Sequence, residues 1–173
     1  MLKQYLEIGK IVGTHGVRGE VRVDPWCDTP DFMKRFKTLY FKSDGSLPQQ
    51  VLSCRPHGNI VILKLSGVDT VEQAVLLRGK TLFMNRADAR LPKAQYFIQD
   101  LIGCRVLDAD DDTVCYGTLT DVSKTGANDV WHVTDAGGTE YLLPAIPPVV
   151  IETDVAHECV KIRPLKGIFD DAD

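Results

Sequence analysis

Several things are scarce or missing in this 173-residue chain. No apolar run approaches the roughly 20 residues that a membrane-spanning helix needs. The opening MLKQYLEIGK lacks the apolar core of a secretory signal. A cytoplasmic protein with no membrane partner is therefore expected. The five cysteines (Cys27, Cys54, Cys104, Cys115 and Cys159) are odd in number and form no C-x-x-C. That argues against a disulfide framework or a zinc ribbon and for reduced thiols. No G-K-[ST] follows the glycines near the N-terminus, which excludes a nucleotide-binding P-loop. No G-x-S-x-G elbow occurs, and the four histidines (His15, His57, His132 and His157) stand at no spacing that pairs them with a nucleophile. His132, between Trp131 and Val133, reads as a sheet residue. Asp108, Asp110 and Asp112 mimic the start of a calcium loop. Thr113 and Leu119, however, stand where that loop needs glycine and a bidentate glutamate, so an acidic hairpin turn is the simpler reading. Cys54 with His57 and His157 with Cys159 lack the further ligands of a zinc site. No catalytic set, metal or cofactor is assigned.

What is present describes a globular chain, 44% hydrophobic and 25% charged, long enough for one ordinary domain or two small ones. The net charge of −4 hides a division. Residues 1–92 hold 14 Lys+Arg and 9 Asp+Glu, or +5; residues 93–173 hold 6 and 15, or −9. Such asymmetry points to two modules, a basic one suited to phosphate and an acidic one suited to a cationic protein.

The run Gly9–Val23, GKIVGTHGVRGEVRV, places alternating apolar and polar residues on both sides of closely spaced glycines. It reads as a strand, a shaped polar loop and a second strand, with His15 and Arg18 offering donors in the loop. Further strands are expected at Thr38–Lys42, Gln50–Arg55, Asn59–Leu65 and Thr81–Met84, with one helix capped by Asp69 and supported by Glu72. Short strands with one helix predict a small closed barrel over residues 1–88. ADARLPKAQ (87–95) breaks the pattern, and a linker is placed at 89–95. Residues 96–173 return to short strands and turns. Strands at Gly103–Asp108, Tyr116–Ser123, Asp129–Thr134, Glu140–Leu143 and Cys159–Pro164 predict a second small antiparallel barrel. Pro144, Pro147 and Pro148 mark a crossing loop, and Phe169–Asp173 reads as a frayed acidic tail.

The loop residues His15, Gly16, Arg18, Gly19 and Glu20 resemble the HG-x-[KR]-GE signature of the ribosome maturation factor RimM family. Later blocks agree. YFIQDLIG (96–103) resembles the family's aromatic pair and DLIG. GANDVW (126–131) resembles its GANDV turn, LLPA (142–145) its L-[IL]-PA, and IRPLKGI (162–168) its closing strand. Phe97 replaces the usual second tyrosine, and Ile168 the usual leucine.

The resemblance implies a mainly β protein: an N-terminal barrel like those of translation factors, then a PRC barrel. It implies a non-catalytic, chaperone-like assembly factor of the small ribosomal subunit. Such a factor binds the immature 30S particle and the small-subunit ribosomal protein numbered nineteen, and assists head maturation and processing of 16S rRNA. Partner-binding residues implied on this chain are Tyr96, Phe97, Asp100, Asn128 and Asp129. His15, Arg18 and Arg22, backed by Lys34, Arg35 and Lys37, are candidates to face the ribosome and its RNA. Gly13, Gly16, Gly19, Gly103 and Gly126 are expected to be structural, and a monomer is expected. Two rivals stand beside this reading: a split-barrel flavin or nucleotide enzyme, and a protein-interaction adaptor that never meets RNA.

Overall fold

The alternation around the glycine loop becomes two long paired strands, β1 (Tyr5–His15) and β2 (Glu20–Pro25), in a computed structural model that describes residues 2–27, 29–91 and 95–169. The chain divides into two compact units at Arg90 and Leu91. In the first, β3 (Thr38–Tyr40), β4 (Pro48–His57), β5 (Ile60–Leu65) and β6 (Thr81–Asn85) complete a closed barrel in the order β1-β2-β5-β4-β3-β6. Leu6, Ile8, Ile11, Val21, Val23, Leu63 and Leu82 fill it, all at most 1% exposed. Register shifts at Glu7/Gly9 and Ile11/Gly13 let β1 bend and pair with both β6 and β2.

Four local features differ from the sequence expectation. His15 closes β1 and lies outside the turn proper. A 3-10 helix at Pro30–Arg35, begun by proline, buries Met33 and leads into the buried Phe36. The helix α1 (Val71–Val75) is capped one residue later than expected. Thr70 accepts from the Gln73 N–H, and the Gln73 side chain accepts from the Thr70 N–H in a capping box. A short helix, α2 (Arg86–Ala89), capped by Asn85, occupies the start of the segment read as irregular; Pro92–Ala94 lie outside the described residues.

The second unit begins with α3 (Ile98–Leu101) and continues through β7 (Arg105–Asp108), β8 (Cys115–Lys124), β9 (Asp129–Thr134), β10 (Glu140–Pro144), β11 (Val150–Asp154) and β12 (Cys159–Ile162). The six strands form one sheet ordered β10-β9-β8-β7-β12-β11 around Val106, Leu119, Trp131, Val133, Leu143, Val160 and Ile162. Its pairs are antiparallel except β12 and β7, which run parallel with Val160 beside Val106. The parallel pair arises because the proline-rich crossing leads into an extra strand, β11, and the chain returns beside β7. The tail also differs: Phe169 stacks on Tyr116 with centroids 4.4 Å apart and leans on Tyr141 at 4.8 Å. Asp170–Asp173, the rest of the expected frayed segment, lie outside the described residues.

The acidic hairpin spends its carboxylates internally. Asp108 accepts from the N–H groups of Asp110 and Asp111 and from the Tyr116 hydroxyl (2.5 Å). Asp110 pairs with Arg163 at 2.9 Å and Asp112 with Lys161 at 3.2 Å. These bonds hold Asp108 and Asp110 below the usual carboxylate range. Burial, reinforced by the Asp108 bond, pushes the Tyr116 phenol up to about 12. Desolvation likewise pushes up the thiols of Cys54, Cys104 and Cys159, which disfavours the thiolate form.

Candidate functional site

In the first unit the candidate surface is the turn between β1 and β2. The reason for glycine is strongest at Gly19. Its φ is +84°, and a Cβ there would stand 2.3 Å from the Val68 carbonyl oxygen and 2.8 Å from the Asp69 nitrogen. The turn therefore lies directly against the Val68–Asp69 backbone. Lys64 of β5 staples the two segments: its Nζ donates to the Arg18 carbonyl (2.8 Å), to the Val68 carbonyl, and to Asp69 Oδ1 (3.0 Å). Gly16 also has a positive φ, +64°, but nothing crowds it. Gly13 has neither a left-handed φ nor a neighbour that a Cβ would meet, and the same holds for Gly126. Gly13 stands at the register shift where β1 bends.

Because the Arg18 carbonyl turns toward Lys64, its side chain is left exposed, beside a Val17 that is 79% exposed. Arg22, on the outer face of β2, is exposed as well. Among the described residues neither arginine meets a carboxylate. Arg55 does: it holds Glu20 through contacts of 2.6 and 3.4 Å. His15 lies beside His57 of the β4–β5 hairpin, ring centroids 6.2 Å apart. The sequence reading did not group those two histidines, since only the closed barrel brings the two hairpin tips together. The turn thus presents exposed arginine side chains beside the Val68–Asp69 segment that leads into the Thr70 cap of α1.

The residues implicated in the second unit fall into two groups. Tyr96 is 39% exposed, and its hydroxyl donates to the Thr153 carbonyl of β11 at 3.4 Å. Phe97 is half-buried and its carbonyl accepts from the N–H groups of Asp100 (3.0 Å) and Leu101 (3.2 Å), starting α3. Gly103, with φ +95°, then ties the helix to β8 by donating to the Leu119 carbonyl at 2.8 Å. Asn128 and Asp129 stand elsewhere, at the turn from β8 to β9. Thr125 Oγ1 closes that turn by bonding both the N–H and the carbonyl of Asn128. Asp129 approaches Lys124 at 3.7 Å, and its carbonyl accepts from Ala145 at 2.9 Å, which fastens the GANDVW block to the LLPA block. The points where the two groups meet β8, Leu119 and Lys124, are roughly 17 Å apart along the strand at about 3.4 Å per residue. They form two patches.

Comparison with known proteins covers both units. The family profile described as the RimM N-terminal domain matches residues 6–89, and that described as the RimM PRC barrel domain matches residues 98–168. A protein named ribosome maturation factor RimM from Clostridium botulinum is 42% identical over 166 residues, covering 95% of this chain and 97% of its own. One of the same name from Acetivibrio thermocellus is 38% identical over 172 residues, covering 97% and 98%. A crystal structure of a RimM protein from Pseudomonas aeruginosa is 30% identical, covers 91% of this chain and 96% of its own, and aligns with a TM-score of 0.47.

Proposed function

The chain belongs to the RimM family of ribosome maturation factors, and on that footing we propose that it acts as a non-catalytic, chaperone-like factor on the immature small ribosomal subunit. In this reading the acidic second unit takes the basic small-subunit ribosomal protein numbered nineteen, through Tyr96, Phe97 and Asp100 and through Asn128 and Asp129. The basic first unit turns His15, Arg18 and Arg22 toward the RNA. Binding a partly assembled state more tightly than the mature one raises the population of that intermediate over misassembled alternatives and lets the factor leave once maturation is complete, without any bond being made or broken. The observation that carries the reading is the match of both family domains over nearly the whole chain. The exposed arginines and the exposed Tyr96 support it locally.

Co-sedimentation with immature and mature small subunits across a salt series tests it. Preferential retention on the immature particle is expected, with an affinity that falls as salt rises. Equal retention on both particles refutes it. Tyr96→Ala should weaken binding to the ribosomal protein while leaving the melting temperature nearly unchanged, since its hydroxyl bond is long and exposed.

A further inference from the structure

Three neighbouring strands of the second unit carry a hydrogen-bonded line of side chains that the ribosomal reading leaves unused. Ser123 Oγ on β8 lies 2.6 Å from His132 Nε2 on β9, and His132 Nδ1 lies 3.1 Å from Glu140 Oε1 at the start of β10. The register explains the alignment. Ser123 stands opposite Val130 and Glu140 opposite Thr134, so each is a diagonal neighbour of His132, within reach of a long side chain. A carboxylate only accepts, so in the neutral imidazole Nδ1 carries the proton and Nε2 accepts the Ser123 hydroxyl. The His132 side chain is 19% exposed, shielded enough to hold the line together and open enough for a small reagent. A nucleophile, a base and an orienting acid in that order are recognised by geometry and not by sequence position.

We propose that Ser123 is an activated nucleophile that takes a single acyl group from a small activated ester. In the step, Ser123 Oγ bonds to the acyl carbon and the bond from that carbon to the leaving oxygen breaks. The hydroxyl proton passes to His132 Nε2 and from there to the leaving group or to solvent. Glu140 is a positioning residue that orients the ring and stabilises the imidazolium. This one transfer leaves one acyl group per chain as a modification of Ser123. It is independent of ribosome binding.

The test treats the full chain with p-nitrophenyl acetate, follows nitrophenolate release and maps the acetyl group by peptide mass. About one equivalent on Ser123 is expected, with the exposed Ser43, Ser53 and Ser66 as internal controls and lysine acetylation counted separately. Ser123→Ala should abolish the site. His132→Ala should slow the transfer about 100-fold, the scale of a positioned general base. Glu140→Ala should also slow it; Glu140→Asp should recover most of the rate, and Glu140→Gln, which keeps an acceptor but no charge, should not. Acetyl spread equally over Ser123 and the control serines overturns the proposal, as does a rate that His132→Ala leaves unchanged. If His132→Ala does not fold, the wild-type site map and the charge dependence at Glu140 decide the matter.

Discussion

Replacing Gly19 with alanine tests the account of the first unit's turn most directly. Two costs add. A non-glycine residue at φ +84° sits in the left-handed region, at about 1–2 kcal/mol. The new methyl would stand 2.3, 2.6 and 2.8 Å from three backbone atoms of Val68 and Asp69. Backbone cannot rotate away as a side chain can, and overpacking of this kind costs about 1–3 kcal/mol. The sum is about 3 kcal/mol, or roughly 12–24 °C of melting temperature for a domain of this size. Gly16→Ala is the matched control: it carries the strain of φ +64° but meets nothing within 4 Å, so about 1 kcal/mol is expected. Urea unfolding of each variant gives the free energies, and hydrogen exchange of peptides from residues 3–90 shows that the loss belongs to the first unit. Equal losses in the two variants would refute the close-approach argument, because strain alone would then account for both.

Four further outcomes follow from named interactions. Lys64→Met removes three donors from the Arg18, Val68 and Asp69 acceptors and should cost about 1–3 kcal/mol in urea unfolding, with faster hydrogen exchange at residues 16–19. Arg18→Ala with Arg22→Ala should lower affinity for the immature subunit and flatten the slope of log affinity against log salt by about 2, one for each phosphate that is no longer neutralised. The Tyr116 phenol has its folded pKa raised from 10.0 to about 12, so its contribution is intact below about pH 10 and lost as pH rises toward 12; alkaline unfolding should be shallower in Tyr116→Phe over that window. Phe169→Ala removes the stack on Tyr116 and Tyr141 and should cost about 1–3 kcal/mol by thermal unfolding, whereas a chain frayed from that residue would lose nothing.

Much of the fold was legible because period-two alternation survives in β1, β2 and β9, where one face is buried. What stayed hidden has physical reasons. Strand β11 (Val150–Asp154) follows three prolines and shows no clean alternation, since its exposure pattern lacks a buried face. The parallel pairing of β7 with β12 depends on a crossing whose direction no local pattern encodes. The cap of α1 slipped by one residue because Asp69 and Thr70 are both good caps and Glu72 and Gln73 both good partners. Tertiary structure broke the tie, since Lys64 engages the Asp69 carboxylate and leaves Thr70 to cap. In the candidate sites the single residues were readable, but their grouping was not. His57 reaches His15 only through barrel closure, and Ser123 meets His132 only through a cross-strand diagonal. Nothing in the spacing of those residues announces either pairing.

Charge in the second unit follows the same pattern, with residues legible and their availability hidden. A net charge of −9 in the second half sets how strong its field is at long range, not where a cationic partner would touch. The densest acidic run, Asp108–Asp112, is the least available. Asp108 is held by two N–H groups and a phenol, Asp110 by Arg163, Asp111 by Thr113 and Asp112 by Lys161. Asp135 is consumed by its own turn and by Tyr141, and Asp154 by His157. Carboxylates bound in this way shape loops and still contribute to steering. A partner that displaced them, however, would have to replace each bond it broke. Asp129 is different: its ion pair to Lys124 is long at 3.7 Å, and both side chains are more than 40% exposed. An exposed pair of that length contributes little, so a cation brought by a partner can replace Lys124 at small cost. If the second unit takes a cationic partner as proposed, acidity would draw it toward the whole unit and the loose pair at the β8–β9 turn would be the place it displaces most easily.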